Sequence, residues 1–203
     1  MARYIGPRFR LCRREGVNLF GNPKFDIERR PTPPGQHGGN RRGKLSNYGI
    51  QLREKQKVKR IYGILEKQFR LYYEKASSAP GITGHVLLQM LERRLDNTIY
   101  RMGFATTRPM ARQIVSHGWV RVNDRKVNIA SFLVKVGDEI SLQVKDKSKK
   151  YIDTNIERMK DRSGARWLNI DPKHYKAKVV VLPTREDVQF PINEQLIVEL
   201  YSK

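Results

Sequence analysis

From Leu88 to Lys126 the spacing of apolar residues changes in a way that few folds accommodate. Leu88, Leu91, Leu95, Ile99 and Met102 step by three, four, four and three, which is one stripe of an amphipathic helix. Arg93, Asn97 and Arg101 run along its other side, and Gly103 suits the C-terminal cap. A second helix start follows in Thr106-Thr107-Arg108-Pro109, a threonine cap with proline in the first turn. This helix turns Met110, Ala111, Ile114 and Val115 inward and stops at Gly118. Arg108, Arg112 and Ser116 share its outward face, with Gln113 and His117 beside them. The period then falls to two: Trp119-Val120-Arg121-Val122 alternates, Asn123-Asp124 offers a tight turn, and Lys126-Val127 begins the return. Val134 to Leu142 adds another pair of edges around Gly137-Asp138. Residues 87–144 therefore read as a helix–turn–helix followed by a small twisted sheet.

The flanks are simpler. Residues 46–76 are rich in helix formers, with Leu52, Val58, Ile61 and Phe69 on one stripe and Arg53, Lys57 and Arg60 together on the polar side, placed to meet phosphate. Ala76 to Gly81 is a break. Lys145 to Lys150 reads as a solvated connector, Val179 to Leu182 as a buried strand, and Glu194 to Tyr201 as a final short helix.

Charge narrows the partner. The chain carries 41 Lys and Arg against 20 Asp and Glu, a net +21 over 203 residues. Solubility asks for a magnitude of only about 2–8 in a small domain. Such an excess strains a compact fold unless a polyanion, nucleic acid or anionic membrane, sits against it. No apolar run approaches the roughly 18 residues needed to span a bilayer. The excess is densest in residues 1–45, where Arg3, Arg8, Arg10, Arg13, Arg14, Lys24, Arg29, Arg30, Arg41, Arg42 and Lys44 face only Glu15, Asp26 and Glu28. Gly and Pro crowd into Pro31 to Gly39, and the segment has too little apolar surface to order itself. It is either a disordered basic tail or an extended arm that orders on RNA. Tyr4 and Tyr48 lie among these cations, where rings can stack on bases.

Catalytic readings fail on specific residues. Gly38 to Lys44 has the spacing of a phosphate loop, but Leu45 stands where a magnesium-binding Ser or Thr is required. His37, His85, His117 and His174 form no ligand-spaced pair. Glu92 and Asp96 neighbour Arg93 and Arg94, so local ion pairing explains them better than acid–base chemistry. The lone Cys12 makes no disulfide or cysteine-cluster zinc site. Arg13 and Arg14 beside it could lower its pKa, but a bystander thiol is the plainer reading. Neither enzyme, cofactor nor metal is expected, and the cysteine usage fits a reducing, cytosol-like compartment.

Met90 to Asn97, Tyr100 to Phe104, Ala111 to Gly118 and Val122 to Ser131 resemble the small RNA-binding module first described in ribosomal protein four of the small subunit. Met1 to Pro7, Cys12 to Gly16, Pro34 to Gly38, Leu52 to Val58, Tyr62 to Phe69 and Ile192 to Lys203 extend the resemblance to the whole bacterial form of that family. It implies an α+β fold: an extended basic arm at 1–45, a mainly helical domain at 46–86 and 145–203, and the module inserted at 87–144. It also implies a structural constituent of the small ribosomal subunit. The family binds a multi-helix junction in the 5′ domain of 16S ribosomal RNA early in 30S assembly. It lies by the channel through which messenger RNA enters, beside small-subunit proteins three and five, and contributes to translational accuracy in the cytoplasm. Some members carry zinc-binding cysteines in the arm; this chain has only Cys12 there.

The expected RNA-binding residues of the arm are Arg3, Tyr4, Arg8, Arg10, Arg13, Arg14, Gly35, Gln36 and His37, with Arg41, Arg42 and Lys44 as weaker candidates for facing messenger. Tyr48, Arg53, Lys57 and Arg60 continue them on the next helix. In the module they are Arg93, Asn97, Arg101, Arg108, Arg112, Gln113, Ser116 and His117, with Arg121, Asn123 and Arg125 on the adjoining sheet. The rival readings are a module-bearing RNA-modifying enzyme, which needs a further catalytic domain, and a small RNA-binding regulator, which needs little beyond residues 87–144.

Overall fold

The computed structural model describes residues 4–39, 44–144, 146–159 and 165–202. Along the chain run α1 (Arg8–Glu15), α2 (Asn47–Ile61), α3 (Glu66–Ser77), α4 (Thr83–Glu92), α5 (Leu95–Arg101), α6 (Arg108–Ser116), β1 (Val120–Val122), β2 (Arg125–Lys126), β3 (Glu139–Leu142), α7 (Asp146–Met159), β4 (Leu168–Asp171), β5 (Lys176–Val179) and α8 (Glu194–Tyr201). They group into two compact units, Met1–Ser77 with Phe190–Lys203, and Ser78–Gln189.

In the first unit α2 packs on α8 and touches α1. Ser46 Oγ caps α2 by accepting from Gly49 N at 3.2 Å. Val58, Ile61, Phe69, Tyr72 and Ile197 are buried. Tyr73 stacks on Tyr201 with ring centroids 4.5 Å apart, and its hydroxyl donates to the Val198 carbonyl. Lys55 and Lys59 both reach Glu66, at 2.6 and 2.9 Å, and Tyr201 donates to the same carboxylate at 2.9 Å. Burial alone would raise the Glu66 carboxyl; the bonds from Lys55, Lys59 and Tyr201 outweigh it and hold it at about 2 against an ordinary 4.5. The arm holds more local structure than the sequence suggested. Cys12 and Leu19 are buried, Phe9 stacks on Phe25, and Phe20 meets Phe25 edge-on. Burial pushes the Cys12 thiol up, so the neighbouring arginines do not activate it.

The second unit is built on a five-stranded antiparallel sheet, β2-β1-β3-β5-β4. Its inner face and α5, α6 and α7 enclose one core that includes Leu95, Ile99, Val115, Ile140, Ile152 and Trp167. The β1–β2 hairpin turns at Asn123 and Asp124, whose φ values of 49° and 61° give the paired left-handed residues of a two-residue turn. The helix start at Thr107 and the stop at Gly118 both form as the residues predict.

Several expectations differ. The stripe from Leu88 to Met102 is not one helix. Arg94 is extended (φ −64°, ψ 134°) and bridges Leu133, while Leu95 N and Asp96 N bond to the carbonyls of Phe132 and Ala130. Residues 145–189 do not join the helical domain. The edge of β3 away from β1 needs a partner, and β5 supplies it through Glu139↔Lys178, Ile140↔Ala177 and Ser141↔Lys176. The connector at Lys145 to Lys150 runs into α7 from Asp146, with Lys145 itself outside the described residues, and the strand at 179–182 shifts back to β5, leaving Val180 and Val181 exposed. Of the Val134–Leu142 pair only β3 is a strand.

Residues 78–189 expressed alone should unfold cooperatively, whereas 87–144 should give no cooperative thermal transition, because Trp167 and β5 are missing from its core; near-ultraviolet circular dichroism reads both. Stability of the first unit should also depend on acid. The folded pKa of Glu66 lies below its unfolded value, so its contribution is complete above about 4.5 and is lost as pH falls towards 2. E66Q should flatten the unfolding midpoint across that window.

Candidate nucleic-acid interface

In the module, the break at Arg93–Arg94 turns inward much of the side chain row that a straight helix would expose. Arg93 Nε donates to the Val134 carbonyl at 2.9 Å. Asn97 is buried and donates to Glu92 Oε2 at 2.7 Å, while its own Oδ1 accepts from Arg108 Nε at 2.8 Å. Arg101 forks onto Glu92 through Nε and Nη2, at 2.9 and 2.8 Å, with side chains 5% and 0% exposed. Arg108 is buried with its guanidinium 4.4 Å from the centre of the Tyr100 ring. Arg108, Asn97, Glu92 and Arg101 are thus one buried polar network, beside a second pair in which Arg94 forks onto Asp96 at 3.1 and 2.8 Å. The local pairing expected for Asp96 exists, with Arg94; Glu92 instead pairs with Arg101, nine residues along the chain. The open basic row expected of Arg93, Asn97, Arg101 and Arg108 does not form.

What remains on the module's surface lies at the end of α6 and on the hairpin. Gln113, Ser116 and His117 are exposed and Arg112 is half-buried. His117 meets Trp119 edge-on at 5.8 Å. Gly118 turns the chain at φ 70°, and the end of the Lys126 side chain occupies the space a Cβ would need there. The register Arg121↔Lys126 sets both cations on one face of the sheet, and Arg125, opposite Val122, is exposed on the same hairpin. Among the described residues no carboxylate forms an ion pair with Arg121, Arg125 or Lys126. Further along the same face Lys176 is paired with Glu139 at 2.7 Å. Asn123 is committed to structure, since its amide joins Asp138 and Glu139 N at 2.9 Å each. Lys126 was absent from the sequence-based set, although the Asn123–Asp124 turn, once accepted, places it opposite Arg121.

In the first unit, the cations of α2 have internal partners. Arg53 and Arg60 converge on Glu15 Oε1, Arg53 at 3.2 Å, and Lys57 pairs with Glu54. Burial pushes the Glu15 carboxyl up, against the pull of Arg60, Arg53, Lys57 and Arg14. Arg8 lies over the Phe20 ring. Arg13 bonds to Thr32 and Pro33, and Arg14 to the Pro34 carbonyl. Tyr4, Arg10, Gly35, Gln36, His37, Lys44 and Tyr48 are exposed, as is Arg30, which the sequence-based set left out although it adjoins Arg29. Arg3, Arg41 and Arg42 lie outside the described residues. Among the described residues no three His, Cys, Asp or Glu side chains gather into a metal-binding group, and no helix is long and apolar enough to cross a membrane.

Truncating Arg101 removes the two-bonded fork from the buried Glu92 carboxylate. R101A should lower stability by about 3–5 kcal/mol, while S116A on the exposed face should stay within about 0.5 kcal/mol of wild type. Urea titration of both variants checks this.

Residues 3–92 match the family described as Ribosomal protein S4/S9 N-terminal domain, and residues 93–140 match the S4 domain. Proteins called small ribosomal subunit protein uS4 align along their full length with all of this chain: that of Acidobacterium capsulatum at 56% identity, that of Caldicellulosiruptor bescii at 54%, and that of Thermus thermophilus at 51%. The relatives are named as ribosomal proteins, not enzymes. With an S4 domain, an α+β fold and this identity over its whole length, the chain belongs to the uS4 family of small ribosomal subunit proteins.

Proposed function

We propose that the protein binds the 5′ domain of 16S ribosomal RNA where several helices meet, early in assembly of the 30S subunit. There it lies by the channel through which messenger enters and contributes to decoding accuracy in the cytoplasm, with small-subunit proteins three and five as neighbours. The observation that carries this reading is the uneven pairing of cations. Acids neutralise the basic residues of α2 and the Arg101 network, whereas Arg10 and Arg30 in the arm and Arg121, Arg125 and Lys126 on the hairpin have no carboxylate ion pair among the described residues. These are groups suited to phosphate, which positions a protein on RNA. A junction adds the rest, because A-form RNA is recognised through shape and 2′-hydroxyls. Gln113, Ser116 and His117 supply exposed donors and acceptors beside the hairpin cations. Arg41, Arg42 and Lys44 are candidates for messenger contact.

Tagged full-length protein should cosediment with small-subunit particles, and its failure to do so would overturn the assignment. Affinity for the transcribed 5′ domain should fall with salt at a log–log slope of about 0.7–0.9 per phosphate engaged. R125A with K126A should reduce that slope by about one to two units. An unchanged slope would remove the hairpin from the interface.

A further inference from the structure

We propose that the end of α6 holds a stacking site for one unpaired nucleobase. The base lies on the imidazole of His117 against the indole of Trp119, and Lys126 takes the adjoining phosphate. The inference rests on the RNA-binding reading above and names the form of RNA this surface takes, a single strand rather than the face of a duplex.

Backbone bonds fix both rings. His117 ends α6 with its N–H on the Gln113 carbonyl at 2.9 Å. Gly118 follows at φ 70°, a left-handed conformation that glycine adopts without strain. Its N–H donates to the Val115 carbonyl at 2.9 Å, and Trp119 N donates to the Ile114 carbonyl at 3.4 Å. These two bonds are the Schellman closure of a helix end. Beyond it the Trp119 carbonyl accepts from Gln143 N at 2.7 Å, which ties the residue to the strand that follows β3. The rings therefore stand on either side of a fixed turn, with centroids 5.8 Å apart and 72° between their planes.

Their surroundings suit a base better than a phosphate alone. Trp119 is half-buried and packs against the core, whereas His117 is exposed. Because the rings meet edge-on, the indole covers at most one face of the imidazole and leaves the other to a flat ligand. Single-stranded RNA is recognised in this way, by splayed bases stacked on aromatic side chains, histidine among them. In a duplex the neighbouring pairs already cover both faces of a base, so only an unpaired nucleotide can enter. Gln113 lies one turn before His117 on the same side of α6, exposed, with an amide that can donate to and accept from a base edge. Lys126 Nζ lies 2.9 Å from the point that a Cβ on Gly118 would occupy, so an ammonium stands over the glycine between the two rings. Neither α6 nor β1 carries an acid that would repel phosphate there. A residue that only closed the rim of the core would account for the indole, but not for the imidazole, amide and ammonium gathered round it.

Trp119 reports on the site directly, since the other tryptophan of the chain, Trp167, is fully buried. Full-length protein is titrated with a short single-stranded RNA, with the same strand annealed to its complement, and with polyphosphate, which brings charge without bases. The single strand should quench tryptophan emission, and W119F should abolish the quench. Duplex and polyphosphate should leave emission unchanged. Two variants of the exposed His117 separate stacking from charge, and they carry the test should W119F disturb the core it borders. H117F keeps a ring and should bind the single strand as wild type does. H117K keeps a cation without a ring and should bind it about tenfold more weakly, the scale of one stacked base. Contact with phosphate alone reverses that order, because a lysine there would bind at least as well as histidine. No quenching by the single strand, equal quenching by duplex or polyphosphate, or wild-type or tighter affinity in H117K would each overturn the stacking site. Failure of the wild type to cosediment with small-subunit particles would instead overturn the functional reading, and the titrations would still decide whether the end of α6 stacks a base.

Discussion

Twenty acids must serve 41 cations in this chain, so the position of each carboxylate decides which basic groups are held inside and which are left outside. The structure uses a few of its acids as shared acceptors. Glu15 gathers Arg53 and Arg60, Glu66 gathers Lys55 and Lys59, and Glu92 takes the fork of Arg101 and the amide of Asn97. A single buried carboxylate with two or more donors is better compensated than one in a simple pair, because more of its lone pairs are satisfied at the same desolvation cost. The same economy reduces like-charge repulsion inside each unit, where it would oppose folding. The repulsion that remains is displaced to exposed arginines and lysines, where water and salt screen it until a polyanion replaces them.

Much of this was legible where the signal is local. The Thr107 cap, Pro109, the Gly118 stop and the Asn123–Asp124 turn each specify a backbone conformation with their own side chains, and each formed as read. The α4–α5 break was illegible because no Gly or Pro marks it. Arg94 is drawn out of the helix by pairing with Leu133, a contact set by residues some forty positions away along the chain. Periodicity alone then assigned Arg93, Asn97 and Arg101 to a common outer face, since the spacing is right for a straight helix. The kink inverts that conclusion. The β3–β5 pairing is likewise long-range, which is why residues 145–189 were expected in the helical domain rather than on the module's sheet.

The candidate site was legible as a composition and only partly as a set of side chains. Arg10, Gln113, Ser116, His117, Arg121 and Arg125 sit at the surface or its edge. Arg13, Arg53, Arg60, Arg101 and Arg108 carry the same charge but are spent on internal acceptors. Nothing in an arginine's own neighbourhood along the chain separates these two uses. The distinction depends on whether a distant carboxylate or carbonyl comes within reach, as Glu15 does for Arg60 and Thr32 does for Arg13.

That division bears on how a basic arm can be specific. A disordered tail must surrender backbone freedom on binding, at roughly 1–2 kcal/mol for each residue fixed, and the charge it brings is indifferent to sequence and shape. This arm has contacts of its own around Cys12, Leu19 and the Phe9, Phe20 and Phe25 rings, which offset part of that entropy. It also holds its cations at fixed separations, so only an RNA whose phosphates converge at matching distances can engage them together. Rigid spacing turns a nonspecific force into recognition of shape, which is the property a multi-helix junction offers and a single duplex does not.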